Sequence, residues 1–263
     1  MSLSMQKYKI VLIGAGNIAR QLMNTFEKSP FEVIQIFNRS IQSARDLGLP
    51  FGVPFETQPS KIDPGGDVYI ICIKDDSIRA YAEKLQPFIP SEAHVVHTSG
   101  LRPISDLDFF SSHGLFYPLH SFTKEEIWPF DHIPLILNAN NDDLLGILKE
   151  IAITLSDAIY ILSDEQRPYL HLAAVLANNF TNHLIGRAFE LLDSRGIDQS
   201  ILHPILDGTF RKALNNHPYK IQTGPAIRKD ETTIRKHIEL LSSDTELGNI
   251  YALITNSIQN TIE

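Results

Sequence analysis

The feature that most restricts the fold is a short apolar run at residues 8–13, Y-K-I-V-L-I, which ends directly on Gly14-Ala15-Gly16. The run has no polar alternation, so it suits a strand buried on both faces, as in a parallel sheet. Residues 17–28 then show helical spacing, with Ile18, Leu22, Thr25 and Phe26 on one side. The turn reads G-x-G-x-x-A from Gly14 to Ala19. In this pattern the first glycine permits the tight turn and the second lets backbone approach a pyrophosphate. The small Ala19 lets the helix sit close to the strand. The helix N-terminus offers free N–H groups and partial positive charge to an anion. A glycine turn that binds nothing is the alternative. The strand–turn–helix context favours a dinucleotide loop, with Gly14, Ala15, Gly16, Asn17 and Ile18 as its contacts.

Further apolar runs at 31–37, 67–73, 93–97, 115–119, 133–137 and 158–162 are expected strands. They alternate with expected helices at 40–47, 75–86 and 141–155, which implies βαβ units and a mostly parallel sheet. Residues 54–66 are rich in proline and glycine and read as a surface connection. Beyond residue 164 the strand signal ends, and helices are expected at 164–193, 198–214, 227–241 and 245–261. The expected class is therefore α/β: a Rossmann-type domain over 1–163, then an all-helical substrate and dimerisation domain over 164–263.

The charge of −8 across 263 residues repels a phosphate backbone and argues against a nucleic-acid partner. No apolar run reaches the roughly 18 residues of a membrane span. Residues 1–6 lack the apolar core of a secretory signal, and Met5 is the expected natural start. The single cysteine, Cys72, excludes an intrachain disulfide and fits a reducing cytoplasm.

The end of the second strand bears on the cofactor. An NAD site would place Asp or Glu about 20 residues after the glycine loop, to bind the ribose 2′-hydroxyl. Here the strand ends on Asn38-Arg39-Ser40, with no carboxylate. The planar fork of Arg39 can pair with a 2′-phosphate and stack on adenine, and Asn38 and Ser40 add hydrogen bonds. The expected cofactor is NADP.

The glycine loop, the Asn38-Arg39-Ser40 end and the helical tail together resemble a known group. The N-terminal domain is similar to that of pyrroline-5-carboxylate reductases and β-hydroxyacid dehydrogenases. The whole chain resembles a bacterial family assigned as NADP oxidoreductases, which join a Rossmann-like domain to a helical domain of unknown function. Val96-His97-Thr98-Ser99-Gly100, Tyr117-Pro118-Leu119-His120-Ser121-Phe122, Ala173 to Phe180 and Thr223-Gly224-Pro225 carry the likeness. It implies a homodimer through the helical domain.

In related dehydrogenases the loops after the fourth and fifth strands flank the nicotinamide. By position these are Ile73-Lys74 and His97 to Gly100, so Ile73 and Lys74 are expected at the cofactor and Ser99 at the substrate or carboxamide. Turn chemistry beside Gly100 is the alternative for Ser99. The Tyr117-to-His120 stretch resembles the His-Pro stretch of prephenate dehydrogenases, but Tyr117 stands at the catalytic histidine's place. His120 is then the expected proton donor, since imidazole titrates near neutrality. A structural histidine is the alternative, and a tyrosine hydroxyl could assist. Asn178-Asn179 match the pair that follows the β-hydroxyacid dehydrogenase lysine, but Val175 stands at the lysine's position. His171, Val175, Asn178 and Asn182 share one face of a regular helix. His171 or Asn178 could face the reaction, or the stripe could join helices. Thr223-Gly224-Pro225, with Arg228, could receive an anion at a helix start near residue 226. No metal-ligand pattern stands out among the scattered histidines.

The expected activity is hydride transfer between NADPH and a small carbonyl or imine substrate, at a site between the two domains, with His120, Ser99 and Asn178 as catalytic candidates. A non-catalytic dinucleotide binder, acting as sensor or dimeric scaffold, is the alternative, and a deazaflavin cofactor is a third possibility.

Overall fold

The computed structural model describes residues 7–261; the expectations on residues 1–6 lie outside them. Eight strands form one sheet in the order β3-β2-β1-β4-β5-β6-β7-β8. β1 (Lys9–Ile13), β2 (Glu32–Phe37), β4 (Val68–Ile71), β5 (His94–His97) and β6 (Ser112–Pro118) pair in parallel with their neighbours in that part of the sheet. β7 (Leu135–Ala139) runs antiparallel to β6, and β8 (Ile159–Ile161) parallel to β7. The Pro- and Gly-rich stretch 54–66, expected to be connection alone, contains one short strand, β3 (Phe55–Glu56). A two-residue edge strand carries too little periodicity to be read.

The buried strands are apolar on both faces because helices cover both. α1 (Asn17–Phe26), α2 (Ile41–Gly48) and α4 (Asp142–Leu155) contribute to a core that includes Leu12, Leu22, Ile70, Phe116 and Leu148. α3 (Ile78–Leu85) packs on the opposite face with Val11, Ile13, Ile71 and Val95. Asn141 caps α4 by accepting the Leu144 N–H, and Ser40 caps α2 by accepting that of Ser43. From β1 the chain builds outward to β2 and β3, and from β4 it builds the other way. Strand order therefore reverses between β1 and β4, where sheets of this class bind ligands beyond the strands' carboxyl ends.

The chain divides into two compact units after Asn178. α5 (Arg167–Ala174) thus belongs to the α/β unit. Its Arg167 side chain is wholly buried, bonded to Asp164 at 2.9 Å and to the Arg102 carbonyl, and this anchors the helix there. No strand follows β8 among the described residues. The segments are α6 (Thr181–Asp193), α7 (His203–Asn215), α8 (Glu231–Leu240) and α9 (Thr245–Asn260).

Two helical expectations are corrected. The expected 164–193 helix contains a π-turn, Val175–Phe180, between α5 and α6. An extra residue per turn rotates the helix beyond it, so His171, Val175, Asn178 and Asn182 do not keep the regular stripe their spacing implied. The helix expected from 227 begins instead at Glu231. Lys229 takes a positive φ of 52°, and Asp230 then caps α8 by accepting the Thr233 N–H. No helix start stands behind Thr223-Gly224-Pro225 to receive an anion.

Candidate dinucleotide site

A cleft of about 820 Å³ opens where the strand order reverses. Its centre is the β1–α1 turn. Gly14 has φ +119°, and its N–H donates to the Phe37 carbonyl at 2.8 Å. A Cβ there would lie 2.3 Å from the Cys72 carbonyl oxygen, so glycine is required for both conformation and space. Gly16 has an ordinary φ of −83°, and its Cβ would meet only the Cys72 carbonyl oxygen, at 4.0 Å. It leaves the backbone open toward the cleft. Gly16 caps α1 without any side-chain hydrogen bond, and the first turn holds no acidic residue. The helix therefore presents its N–H groups and partial positive charge uncompensated. Ala19 is wholly buried, which is where a larger residue would push helix from sheet.

One end of the cleft is lined by Asn38, Arg39, Ser40 and Ser43. The Asn38 N–H donates to the Glu56 carbonyl at 3.0 Å and its Nδ2 to the Ser40 carbonyl at 3.1 Å, which fixes the turn out of β2. Arg39 is exposed and makes no ion pair among the described residues. Tyr81 of α3 lines the same end, its ring 6.4 Å from that of Phe37. Burial raises the Tyr81 hydroxyl above its usual range, while Arg39 nearby pulls the other way. Ile73, Lys74 and Ser77 supply the facing wall. Cys72 also lines the cleft, but burial pushes its thiol up to about 12, so it is no nucleophile. Sequence reasoning missed Ser43, Ser77 and Tyr81. Ser43 sits just past the Ser40 cap and Tyr81 one turn past Ser77, a proximity that only the pairing of β2, β1 and β4 creates.

The other end is closed by the loop between β6 and β7. Asn17 Nδ2 donates to the Phe122 carbonyl at 2.8 Å. The wholly buried Gln21 donates to the Glu126 carbonyl at 2.5 Å and accepts the Trp128 N–H at 3.1 Å. These bonds from α1 set His120 and Phe122 on the cleft wall, with the His120 ring 4.6 Å from Trp128 and 4.9 Å from Phe122. His120 Nδ1 is buried and has no hydrogen-bond partner.

All ten residues expected at the cofactor line this one cleft, but the three catalytic candidates do not converge on it. His120 does line it. The Ser99 hydroxyl accepts the N–H groups of Leu101 and Arg102 at 3.2 and 3.0 Å, which is turn chemistry. Asn178 is exposed in the π-turn. Beside Ser99, the His97 ring is wholly buried and lowered to about 4 by burial and by Arg167. Its Nδ1 accepts the Ser99 N–H at 3.2 Å, which leaves Nε2 to donate to the Pro103 carbonyl at 3.3 Å. His97 is a neutral structural group at pH 7. Among the described residues, no group of three or more His, Cys, Asp or Glu side chains could hold a metal ion. No helix there is long and apolar enough to cross a membrane.

The model of a domain of unknown function, DUF2520, matches residues 133–258, and that of shikimate/quinate 5-dehydrogenases matches residues 1–85. No match to a curated protein was found. Among solved structures, a putative NADP oxidoreductase from Bacteroides fragilis is 35% identical with TM-score 0.91, over 98% of this chain and 100% of that one. A protein from Thermotoga maritima is 22% identical with TM-score 0.78, over 95% of this chain and 98% of that one. The fold is shared more distantly by an imine reductase from Myxococcus stipitatus in complex with NADP+, at 11% identity and TM-score 0.70, over 97% of this chain and 92% of that one. The Rossmann-type sheet, the glycine loop at its reversal and the end-to-end likeness to the Bacteroides fragilis protein agree, and the chain belongs to that protein's family.

Proposed function

We propose that this chain is an NADP-dependent oxidoreductase that moves hydride between NADPH and a small carbonyl or imine substrate. The observation carrying the reading is that one cleft joins the glycine loop to an unpaired Arg39 where NAD sites keep an acid. The residues fit the group. Gly16 leaves room for pyrophosphate against the α1 N-terminus, and Arg39, Ser40 and Ser43 can hold a 2′-phosphate. The cofactor supplies the hydride when bound, and the protein orients it and excludes water. His120 and Phe122 wall that end of the cleft. The names of the Bacteroides fragilis relative and the NADP+-bound imine reductase agree with this choice of chemistry. Val175, at the place of the β-hydroxyacid dehydrogenase lysine, favours a second reading, a dinucleotide binder without turnover.

Calorimetric titration with NADPH and NADH tests the proposal. NADPH is expected to bind at least about tenfold tighter, a difference of about 1.4 kcal/mol. If neither binds, the glycine turn is structural and the reading falls. Turnover of any carbonyl or imine with NADPH would remove the second reading.

We also infer that the helical unit pairs with a second copy, in a reducing cytoplasm where Cys72 stays free. Leu214, Leu253, Ile201 and Ile205 are 86%, 72%, 68% and 64% exposed, whereas Ala226, Ile234 and Leu241 are the only hydrophobic residues buried in that unit among the described residues. So much exposed apolar surface suits an obligate interface. Sedimentation is expected to give a dimer at micromolar concentration, and Ile205→Glu with Leu253→Glu to give a monomer. A wild-type monomer would refute the pairing.

A further inference from the structure

A second set of chemistry-bearing residues lies at the carboxyl edge of the same sheet, apart from the cofactor residues. Register places them. Ile71 of β4 pairs with His97 of β5, which pairs with Leu115 of β6. Tyr117 stands two residues past Leu115 near the end of β6, and His120, three residues further on, lines the cleft. Tyr117 is 9% exposed. Its hydroxyl lies 3.5 Å from Nδ1 of His171 on α5, a half-buried residue. Both side chains press on Gly100. A Cβ there would come within 2.8 Å of His171 Nδ1 and of the Tyr117 ring. Gly100 is not among the residues of positive φ, so it is needed for space. A glycine thus lets the tyrosine and the histidine meet against the end of β5.

Resting on the oxidoreductase reading, we propose that Tyr117 is the proton donor to the substrate and that His171 reprotonates it. As hydride reaches the substrate carbon, the π electrons move onto its oxygen or nitrogen, and that atom takes the Tyr117 hydroxyl proton. The phenolate takes the proton on His171 Nδ1 while Nε2 of the same ring takes up a proton from solvent, so the imidazole ends neutral and one solvent proton is consumed. The sum is NADPH, one proton and substrate giving NADP+ and an alcohol or amine.

The charges around Tyr117 suit the role. Burial raises its hydroxyl above the usual range and Asp75, next to the cleft residue Lys74, adds to this. Arg167 pulls the other way. The group therefore stays protonated at neutral pH, ready to donate, while the Arg167 cation is near to stabilise the phenolate. Arg167 itself bonds Asp164, so the groups facing the pair are Asp75 from the β4 side and Arg167 and Asp164 from the α5 side. A 3.5 Å contact before ligand binding is ordinary for a catalytic bond that tightens in the complex.

The test uses the full chain with NADPH. 15N NMR of the histidine rings reads the pair directly, and emission of bound NADPH across pH reads the surroundings of its nicotinamide ring. Tyr117→Phe keeps the ring's shape and is expected to shift the His171 Nδ1 signal at fixed pH. Tyr117→Phe and His171→Gln are each expected to remove the same step from the emission profile. Gly100→Ala, which keeps both groups but parts them, is expected to reproduce the Tyr117→Phe spectrum. Unchanged His171 signals in Tyr117→Phe, or NADPH that binds with a wild-type profile in both variants, would overturn the pair. A failure of NADPH to bind at all would instead remove the oxidoreductase reading.

Discussion

Gly14→Ala is expected to lower the melting temperature by roughly 5–15 °C and to abolish dinucleotide binding. The added Cβ would lie 2.3 Å from the Cys72 carbonyl oxygen, a backbone atom held in place because the Cys72 N–H donates to the Ile13 carbonyl. The φ of +119° is also costly for any L side chain. Strain and overpacking of this type cost about 2–5 kcal/mol together, and 1 kcal/mol moves a domain of this size by about 2–4 °C. Gly16→Ala is the informative partner. Its φ is ordinary and its Cβ has only one neighbour, at 4.0 Å. Stability should change by about 1 kcal/mol or less, while NADPH affinity falls because the methyl occupies the approach of the pyrophosphate. Calorimetric melting and NADPH titration of both variants separate conformation from binding. Were Gly16→Ala to bind NADPH as wild type does, the loop would not be a pyrophosphate cradle.

Arg39→Ala is expected to weaken NADPH by about 10- to 150-fold and NADH hardly at all. Arg39 is exposed and has no ion pair to lose among the described residues, so the fold should not register its removal. A charge-assisted bond to phosphate is worth about 1.5–3 kcal/mol, and about 1.4 kcal/mol is one decade of affinity. The neighbouring Tyr81 gives an internal check. Arg39 is one of the two influences on its hydroxyl, and the one that lowers it. Without Arg39 the Tyr81 hydroxyl should titrate higher still, which absorbance titration of the phenol reads. Equal losses for NADPH and NADH would sink the 2′-phosphate assignment and leave Arg39 a general contact.

The chain's local chemistry was enough to pick out residues that line one cleft. Gly14 to Ala19 and Asn38 to Ser40 are contiguous, and each sits at a strand end that its own hydrophobic run announces. Their contribution depends on backbone conformation and on one side chain, both properties of short segments. Apolar runs likewise marked seven of the eight strands, and only the two-residue β3 escaped. The tertiary structure decided the rest. Whether Ser99 faces a substrate or its own turn depends on where the Leu101 and Arg102 N–H groups point. The π-turn at Val175–Phe180 breaks the stripe that regular helical spacing implied for Asn178. Tyr81 reaches the cleft because α3 lies beside β2 in space, although the chain between them is long. Tyr117 and His171 are 54 positions apart and meet because sheet register and the buried Arg167 anchor bring α5 onto the end of β5. Periodicity and turn chemistry act over a few residues, so the sequence by itself could determine most of the strands and helices and the glycine loop. Which side chains converge is set by strand order and packing, and those are properties of the whole chain.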